Sequence, residues 1–238
     1  RGFKTTEVVN TVTGQADLFA DLKTIATVPH QYRLADTPEA VSELAVELAA
    51  STRFCFDTET DGLDARACGL VGVAFSTRAH SGWYVPVPAG GALSTLAPLL
   101  PLLADGSRTK IGHNLKFDLS VLLTHGIPVA GPFVDTMIAH HLVEPDQRHG
   151  MDALSEKMLG YTPVPIEKLI GSSKPQKSMR DVPVDQVAEY AAEDADVTLQ
   201  LEAKLLPLLK KEGLEPLFQT IEMPLLPVQV QMEADGVA

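Results

Sequence analysis

Four carboxylates crowd positions 57–64, at the end of an apolar run: Asp57, Glu59, Asp61 and Asp64. Like charges this close repel, so their placement calls for a compensating charge or for water. Asp57 and Glu59 are two positions apart at the end of a β-prone segment, Arg53–Asp57. Residues i and i+2 of a strand point to one face, so both carboxylates converge. A divalent cation such as Mg²⁺ or Mn²⁺, which takes oxygen ligands, relieves the repulsion most directly. An Asp-x-Glu pair alone is weak evidence, because solvated turns carry many of them. Asp61 and Asp64, in the turn after the strand, read as such solvated residues.

Two further pairs strengthen the case. Asn114 and Asp118 stand i, i+4 beside apolar Leu115 and Leu122, and Tyr190 and Asp194 repeat that spacing in a second helical stretch. Asp118 and Asp194 both fall on core-facing sides, where an unpaired carboxylate costs several kcal/mol. An N-cap or an exposed ion pair explains either aspartate singly. Neither explains four acids all placed on inward faces.

The elements that must position these groups follow from periodicity and punctuation. Tyr32–Ala35 reads as a first strand, and Thr37 as the N-cap of a helix with Pro38 at its first position. That helix carries Val41, Leu44, Ala45 and Leu48 on one face. After the strand at Arg53–Asp57, Gly69–Ser76 and Gly82–Val87 form two more, antiparallel across a polar turn. Pro86 marks the end of the last one or a sheet edge. Leu93–Leu103 reads as a helix, Lys110–Gly112 as a short strand and Asn114–Leu123 as the helix after it. Phe133–His141 runs from a short strand into a helix, and Met151–Leu159 is helical. Residues 160–182 are mostly loop. Val184–Leu209 is a long helix with Val187, Tyr190, Ala191, Asp194, Val197, Thr198 and Leu201 on one side, and Leu217–Met232 is a last amphipathic segment. The sum is a mixed α/β domain built on one sheet.

The whole chain of 238 residues has a net charge of −12, which by itself argues against a phosphate-binding surface. The charge is uneven. Lys157, Lys168, Lys174, Lys177 and Arg180 against Glu167 give residues 157–180 a local charge of +4. A basic flap on an acidic body suits an anionic, metal-bound substrate, and a solvated loop explains it equally well. No apolar stretch reaches the roughly 18 residues of a membrane span and no signal pattern opens the chain, so a cytosolic location is expected. Cys55 lies in the apolar run and, with Cys68, fits a reduced interior; Cys55 reads as a buried free thiol. His113, His140, His141 and His149 read as surface or supporting residues without a catalytic part. Residues 1–29 read as an arm with little core of its own.

Three segments, in this order, resemble the motifs of the DEDD superfamily of 3′-5′ exonucleases. Asp57 and Glu59 match the first motif, Asn114 and Asp118 the second, Tyr190 and Asp194 the third; the tyrosine is similar to the DEDDy branch. FDTETDGLD, GHNLKFD, DTMIAHHLVEPDQRHGMDALSEKMLG and YAAEDADVTLQLE resemble the proofreading domain of family A DNA polymerases over about residues 30–238. The resemblance implies a ribonuclease H-like mixed β-sheet flanked by helices, with the exonuclease domain at 30–212. IEMPLLPVQVQMEADGVA resembles the start of a polymerase domain, placed at 213–238, whose remainder is absent from this chain.

The same resemblance implies hydrolysis at DNA 3′ ends assisted by two divalent ions, releasing 5′-mononucleotides. Asp57, Glu59, Asp118 and Asp194 would hold the metals, Asp57 bridging both, and Tyr190 would orient the attacking water. Leu63 resembles an apolar wedge between terminal bases, Asn114 a backbone contact or an orienter of Asp118, and Arg148 a DNA contact. Ile166 stands where some members carry an aromatic stacker. The implied partner is a single-stranded or frayed DNA 3′ end, in a monomeric, nucleoid-associated bacterial protein. Two alternatives stand beside this: an inactive spacer domain of a polymerase, and an RNA-directed nuclease of the RNase D type.

Overall fold

The computed structural model describes residues 22–173 and 175–237. Most of the expected N-terminal arm, and Lys174, lie outside the described residues. The end of the arm is bonded to the domain: Lys23 N–H donates to Gly160 O at 2.9 Å, and Thr162 N–H to Lys23 O at 2.8 Å.

The strands are β1 (Gln31–Leu34), β2 (Arg53–Thr60), β3 (Leu70–Ser76), β4 (Ser81–Pro86), β5 (Thr109–Gly112) and β6 (Phe133–Asp135). They form one mixed sheet in the order β1-β4-β3-β2-β5-β6. The three in the middle, β4, β3 and β2, are antiparallel neighbours, while β1 joins β4 in parallel and β5 and β6 follow β2 in parallel. β4 is therefore interior. It ends at Pro86, past the last residue that β1 pairs, so the missing imide hydrogen interrupts no ladder there.

The helices are α1 (Pro38–Ala50), α2 (Ala92–Thr95), α3 (Leu100–Leu103), α4 (Leu115–Thr124), α5 (Thr136–Val143), α6 (Met151–Leu159), α7 (Glu167–Ile170), α8 (Val184–Lys211), α9 (Glu215–Leu217) and α10 (Met223–Ala234). Thr37 caps α1 as expected, its hydroxyl accepting from Ala40 N–H at 3.2 Å. The single helix expected over Leu93–Leu103 is two short ones, α2 and α3. Pro98 has no N–H to give, so the run of helical hydrogen bonds is interrupted between them. Within 160–182 the loop holds α7 and one 3₁₀ turn, Met179–Asp181.

α8 lies across one face of the sheet, touching β1 through β5. Its approach is close at Gly82, where an added Cβ would sit 2.7 Å from Ala192 O. Only glycine in β4 lets α8 settle this low, and Asp194 is two residues along that helix. Core side chains such as Phe54, Phe56, Phe75, Leu115 and Leu201 are fully buried on both faces of β2 and β3. The last segment departs from the expected amphipathic pattern. α10 buries Met223, Leu226 and Val230 against α4 and β6, yet Leu217, Ile221, Leu225, Val228 and Met232 stay exposed and form a second apolar stripe.

Candidate active site

β2 is three residues longer than its apolar run, reaching Thr60, and this carries Glu59 onto the strand. Asp57 and Glu59 therefore share one face, opposite Ala74 and Gly72 of β3. α8 brings Asp194 onto the same face. Asp57, Glu59 and Asp194 each offer a carboxylate oxygen within 4.8 Å of the others. Asp194 Oδ1 is buried and accepts no hydrogen bond.

Asp118 arrives from the edge of the strand. β5 pairs with β2 only as far as Cys55, so among the described residues no strand flanks the far end of β2 on that side. α4 begins there, and Asp118 Oδ1 accepts from Thr58 N–H at 3.0 Å and from the Thr58 hydroxyl at 2.6 Å. Asp118 stands beside Asp57 but outside the cluster of three.

Among the described residues no positive group balances these acids. Burial, then Glu59, raises Asp57 well above the usual carboxylate range. Burial, then Asp118, pushes Glu59 up to about 8. Asp118 rises through burial and Asp57, and Asp194 through burial, Asp57 and Glu59. The donor set is all oxygen, and one of its buried atoms, Asp194 Oδ1, has no hydrogen-bond partner among the described residues. That set fits hard divalent cations and no soft metal. Burial and the adjoining Asp194, Glu59 and Asp57 drive the Tyr190 hydroxyl far above its ordinary value, so it stays protonated and donates.

Asn114 departs from the expected helical face. It precedes α4 in the left-handed region, φ 64° and ψ 44°, and is exposed. Sequence reading missed what holds it there. Buried Asp135 accepts from Asn114 N–H at 3.3 Å and Leu115 N–H at 2.7 Å while capping α5 at Met137 and Ile138. An Asp just before an apolar helix is the signal that could have found it.

A groove of about 430 Å³, lined by none of the four acids, brings Leu63 together with Asn114, Arg66, Lys116 and Phe117, and α10 closes it with Val230 and Glu233. Lys116 and Glu233 are ion-paired across it at 2.6 Å. Leu63 is 94% exposed. A larger cavity, about 640 Å³, lies between α8, β6 and the C-terminal helices and includes none of the four acids.

The remaining expected contacts are not gathered there. Arg148 is exposed on the loop between α5 and α6, and Ile166 is exposed just before α7. The histidines are not surface residues as a group: His140 is 1% exposed, and its Nδ1 faces His149 Nδ1 at 2.8 Å. His149 Nε2 in turn meets His141 Nδ1 at 3.1 Å, which ties the loop of Arg148 to α5.

The basic stretch also differs from a uniform flap. Lys157 pairs with Glu144 and Arg180 turns inward, leaving Lys168 and Lys177 exposed. Asp61 and Asp64 are bonded as well as solvated: Asp61 Oδ1 accepts from Gly69 N–H at 2.5 Å, and Asp64 Oδ1 from Arg66 N–H at 3.0 Å. Cys55 and Cys68 are free, buried thiols.

A protein-family model described as 3′-5′ exonuclease, of the DNA polymerase A type, matches residues 32–210. DNA polymerase I of Rhizobium leguminosarum is 39% identical over 208 residues, 76% of this chain and 20% of its own length. That of Chloroflexus aurantiacus is 37% identical over 209 residues, 83% of this chain and 22% of its own. The chain thus spans about a fifth of the length of the curated relatives it matches. Among solved structures, Brucella melitensis NrnC with bound Mg²⁺ superimposes with a TM-score of 0.67 at 24% identity, covering 88% of this chain and 95% of that one. Escherichia coli RNase D, an exoribonuclease involved in structured RNA processing, gives a TM-score of 0.67 at 22% identity, covering 84% and 51%. Both share this fold, the ribonuclease H-like arrangement of a mixed sheet flanked by helices.

Proposed function

Because the chain belongs to the 3′-5′ exonuclease family of the DNA polymerase A type, we propose that it hydrolyses the terminal phosphodiester at DNA 3′ ends and serves as the proofreading portion of a DNA polymerase I-like enzyme. The observation that carries this reading is the convergence of Asp57, Glu59 and Asp194 within 4.8 Å, with no cationic side chain beside them among the described residues.

Two ions, Mg²⁺ or Mn²⁺, would be held by Asp57, Glu59, Asp118 and Asp194, with Asp57 shared. When bound they neutralise phosphate charge and activate water. Asp118 keeps one oxygen on Thr58, which fixes its orientation and leaves the other free. Tyr190, held protonated, donates a hydrogen bond that orients the attacking water and cannot itself remove the proton. Leu63 and Asn114, on one groove, receive the terminal base and its backbone, and Arg148 and Ile166 reach the strand further out. A base lying on apolar and amide surface is bound by stacking and shape, without sequence preference.

In the longer enzyme, residues 30–212 form the exonuclease domain, 1–29 an arm and 213–238 the start of the polymerase domain. The exposed stripe from Leu217 to Met232 supports this, as it is the kind of surface a covalently attached domain covers. Among the described residues no helix is long and apolar enough to cross a membrane. The proposed setting is the bacterial cytoplasm, at the nucleoid, with the chain monomeric.

The deciding experiment is a time course on single-stranded DNA, a 3′-recessed duplex and single-stranded RNA of one sequence, in Mg²⁺, Mn²⁺ or EDTA. We expect 5′-mononucleotides from DNA, none in EDTA, and loss of activity in Asp57→Ala. Faster cleavage of RNA would favour the RNase D-like reading, for which the likeness to RNase D speaks. An inert wild-type chain would favour a spacer domain.

A further inference from the structure

Arg180 does not point to solvent with the other cations of its stretch. From the 3₁₀ turn before α8, its guanidinium reaches the ends of β3 and β4. Nη2 donates to Leu70 O at 2.8 Å, Nη1 to Val87 O at 3.2 Å, and Nε to Asp61 Oδ2 at 3.5 Å. Asp61 is itself the neck of a closed loop. Its N–H donates to Gly69 O at 3.1 Å, and its Oδ1 accepts from Gly69 N–H at 2.5 Å. A Cβ on Gly69 would press on Asp61 Oδ2 and stand 3.2 Å from Arg180 Nη2, so a larger residue would displace the side chains that close the neck. Inside the loop, Asp64 O accepts from Ala67 N–H at 2.9 Å and Cys68 N–H at 2.8 Å. This bracing leaves the apolar Leu63 side chain almost wholly in water, four residues beyond Glu59.

We propose that Arg180 is a positioning residue for Leu63: it locks the neck of the 61–69 loop and so holds Leu63 at a fixed height above the carboxylates. The inference deepens the exonuclease reading and rests on Leu63 meeting a base. Arg180 acts on how the end of a strand is seated, not on the hydrolytic step. A planar cation with five donors can hold two carbonyls and a carboxylate together, and a lysine in its place cannot. The same residue joins the loop to the segment carrying Lys168 and Lys177, so both sides of the approach to the site share one anchor.

The test compares wild type, Arg180→Ala, Asp61→Asn, Leu63→Ala and the double variant Arg180→Ala/Leu63→Ala. The substrates are a single-stranded oligothymidylate, a blunt duplex with the same 3′ end, and p-nitrophenyl thymidine 5′-monophosphate, which has no second base. We expect Arg180→Ala to raise KM for the oligonucleotide about fivefold to tenfold, as loss of one or two hydrogen bonds implies. The rate on duplex should fall further than that on single strands, and hydrolysis of the small ester should hold within about twofold. Asp61→Asn should move all three readouts the same way by less, keeping the acceptor for Gly69 and losing the charge. The double variant should be no worse than Leu63→Ala, because the arginine acts through the leucine.

Multiplying effects in the double variant would overturn the proposal, as would an ester rate that falls in step with the oligonucleotide rate. An unimpaired Leu63→Ala would overturn it too. Those results leave the exonuclease reading standing, whereas hydrolysis that survives Asp57→Ala overturns both.

Discussion

Each carboxylate of the site is made costly by the others, and that cost can be measured without any nucleic acid. Glu59 has an ordinary value of 4.5 and is pushed up to about 8 by burial and Asp118. A carboxyl whose pKa is higher folded than unfolded favours the folded chain when protonated. Its contribution is complete below the unfolded value and disappears as pH rises through about 8. In EDTA, thermal unfolding scans should therefore show Tm falling between about pH 4.5 and 8, as stability drops by something on the order of a few kcal/mol. Mn²⁺ should abolish most of the fall, and a pH-independent Tm in EDTA would contradict the shift. Asp194→Asn removes one repelling charge and leaves a neutral amide in its place. We expect a higher Tm in EDTA at pH 8, no further gain with Mn²⁺, and hydrolysis down by about three orders of magnitude. Tyr190→Phe should lower kcat by about tenfold to a hundredfold with little change in metal-induced Tm, since the hydroxyl orients water and is not a metal ligand in this reading.

The elements that carry these residues were largely legible, because period and punctuation are local properties. Asp57 and Glu59 sit two apart on a strand, and α8 repeats its buried side over 28 residues, so both could be read directly. Three features could not. Pro98 splits a stretch whose leucines alone keep a helical period. Asp118 belongs to a strand edge, and that edge exists only because β5 stops short of Thr58. Asn114 has helical spacing from Asp118 yet lies outside the helix, in a conformation that Asp135 imposes from 21 positions away. This last point separates two roles. Asn114→Gly keeps the left-handed turn and deletes the amide, whereas Asn114→Ala deletes the amide and strains the turn by about 1 kcal/mol. Both should weaken strand binding alike, while Asn114→Ala alone should lower the midpoint of urea unfolding.

For the molecule as a whole, α10 presents apolar residues in two directions that differ in what they do for this chain. Leu226 is 1% exposed and Val228 51% exposed. Leu226→Glu would bury a charge and should cost more than about 3 kcal/mol, while Val228→Glu should fall within about 0.5 kcal/mol of wild type. Comparable losses from both, in chemical unfolding, would mean that the outer stripe is already covered, as by a second copy of the chain. The architecture also divides labour along one strand. The pairing of β2 with β3 slips by a residue between Glu59 and Thr60, so the chain leaves the regular ladder one step beyond its last site carboxylate. Past Thr60 the loop is held by the Asp61–Gly69 neck and by buried Cys68, whose carbonyl meets His125 Nε2 at 3.2 Å. For an engineer, the tip at residues 62–67 is thus an exchangeable cassette: its length and apex can be redrawn to admit bulkier or modified strand ends while Cys68 and the metal-binding frame are left as they stand.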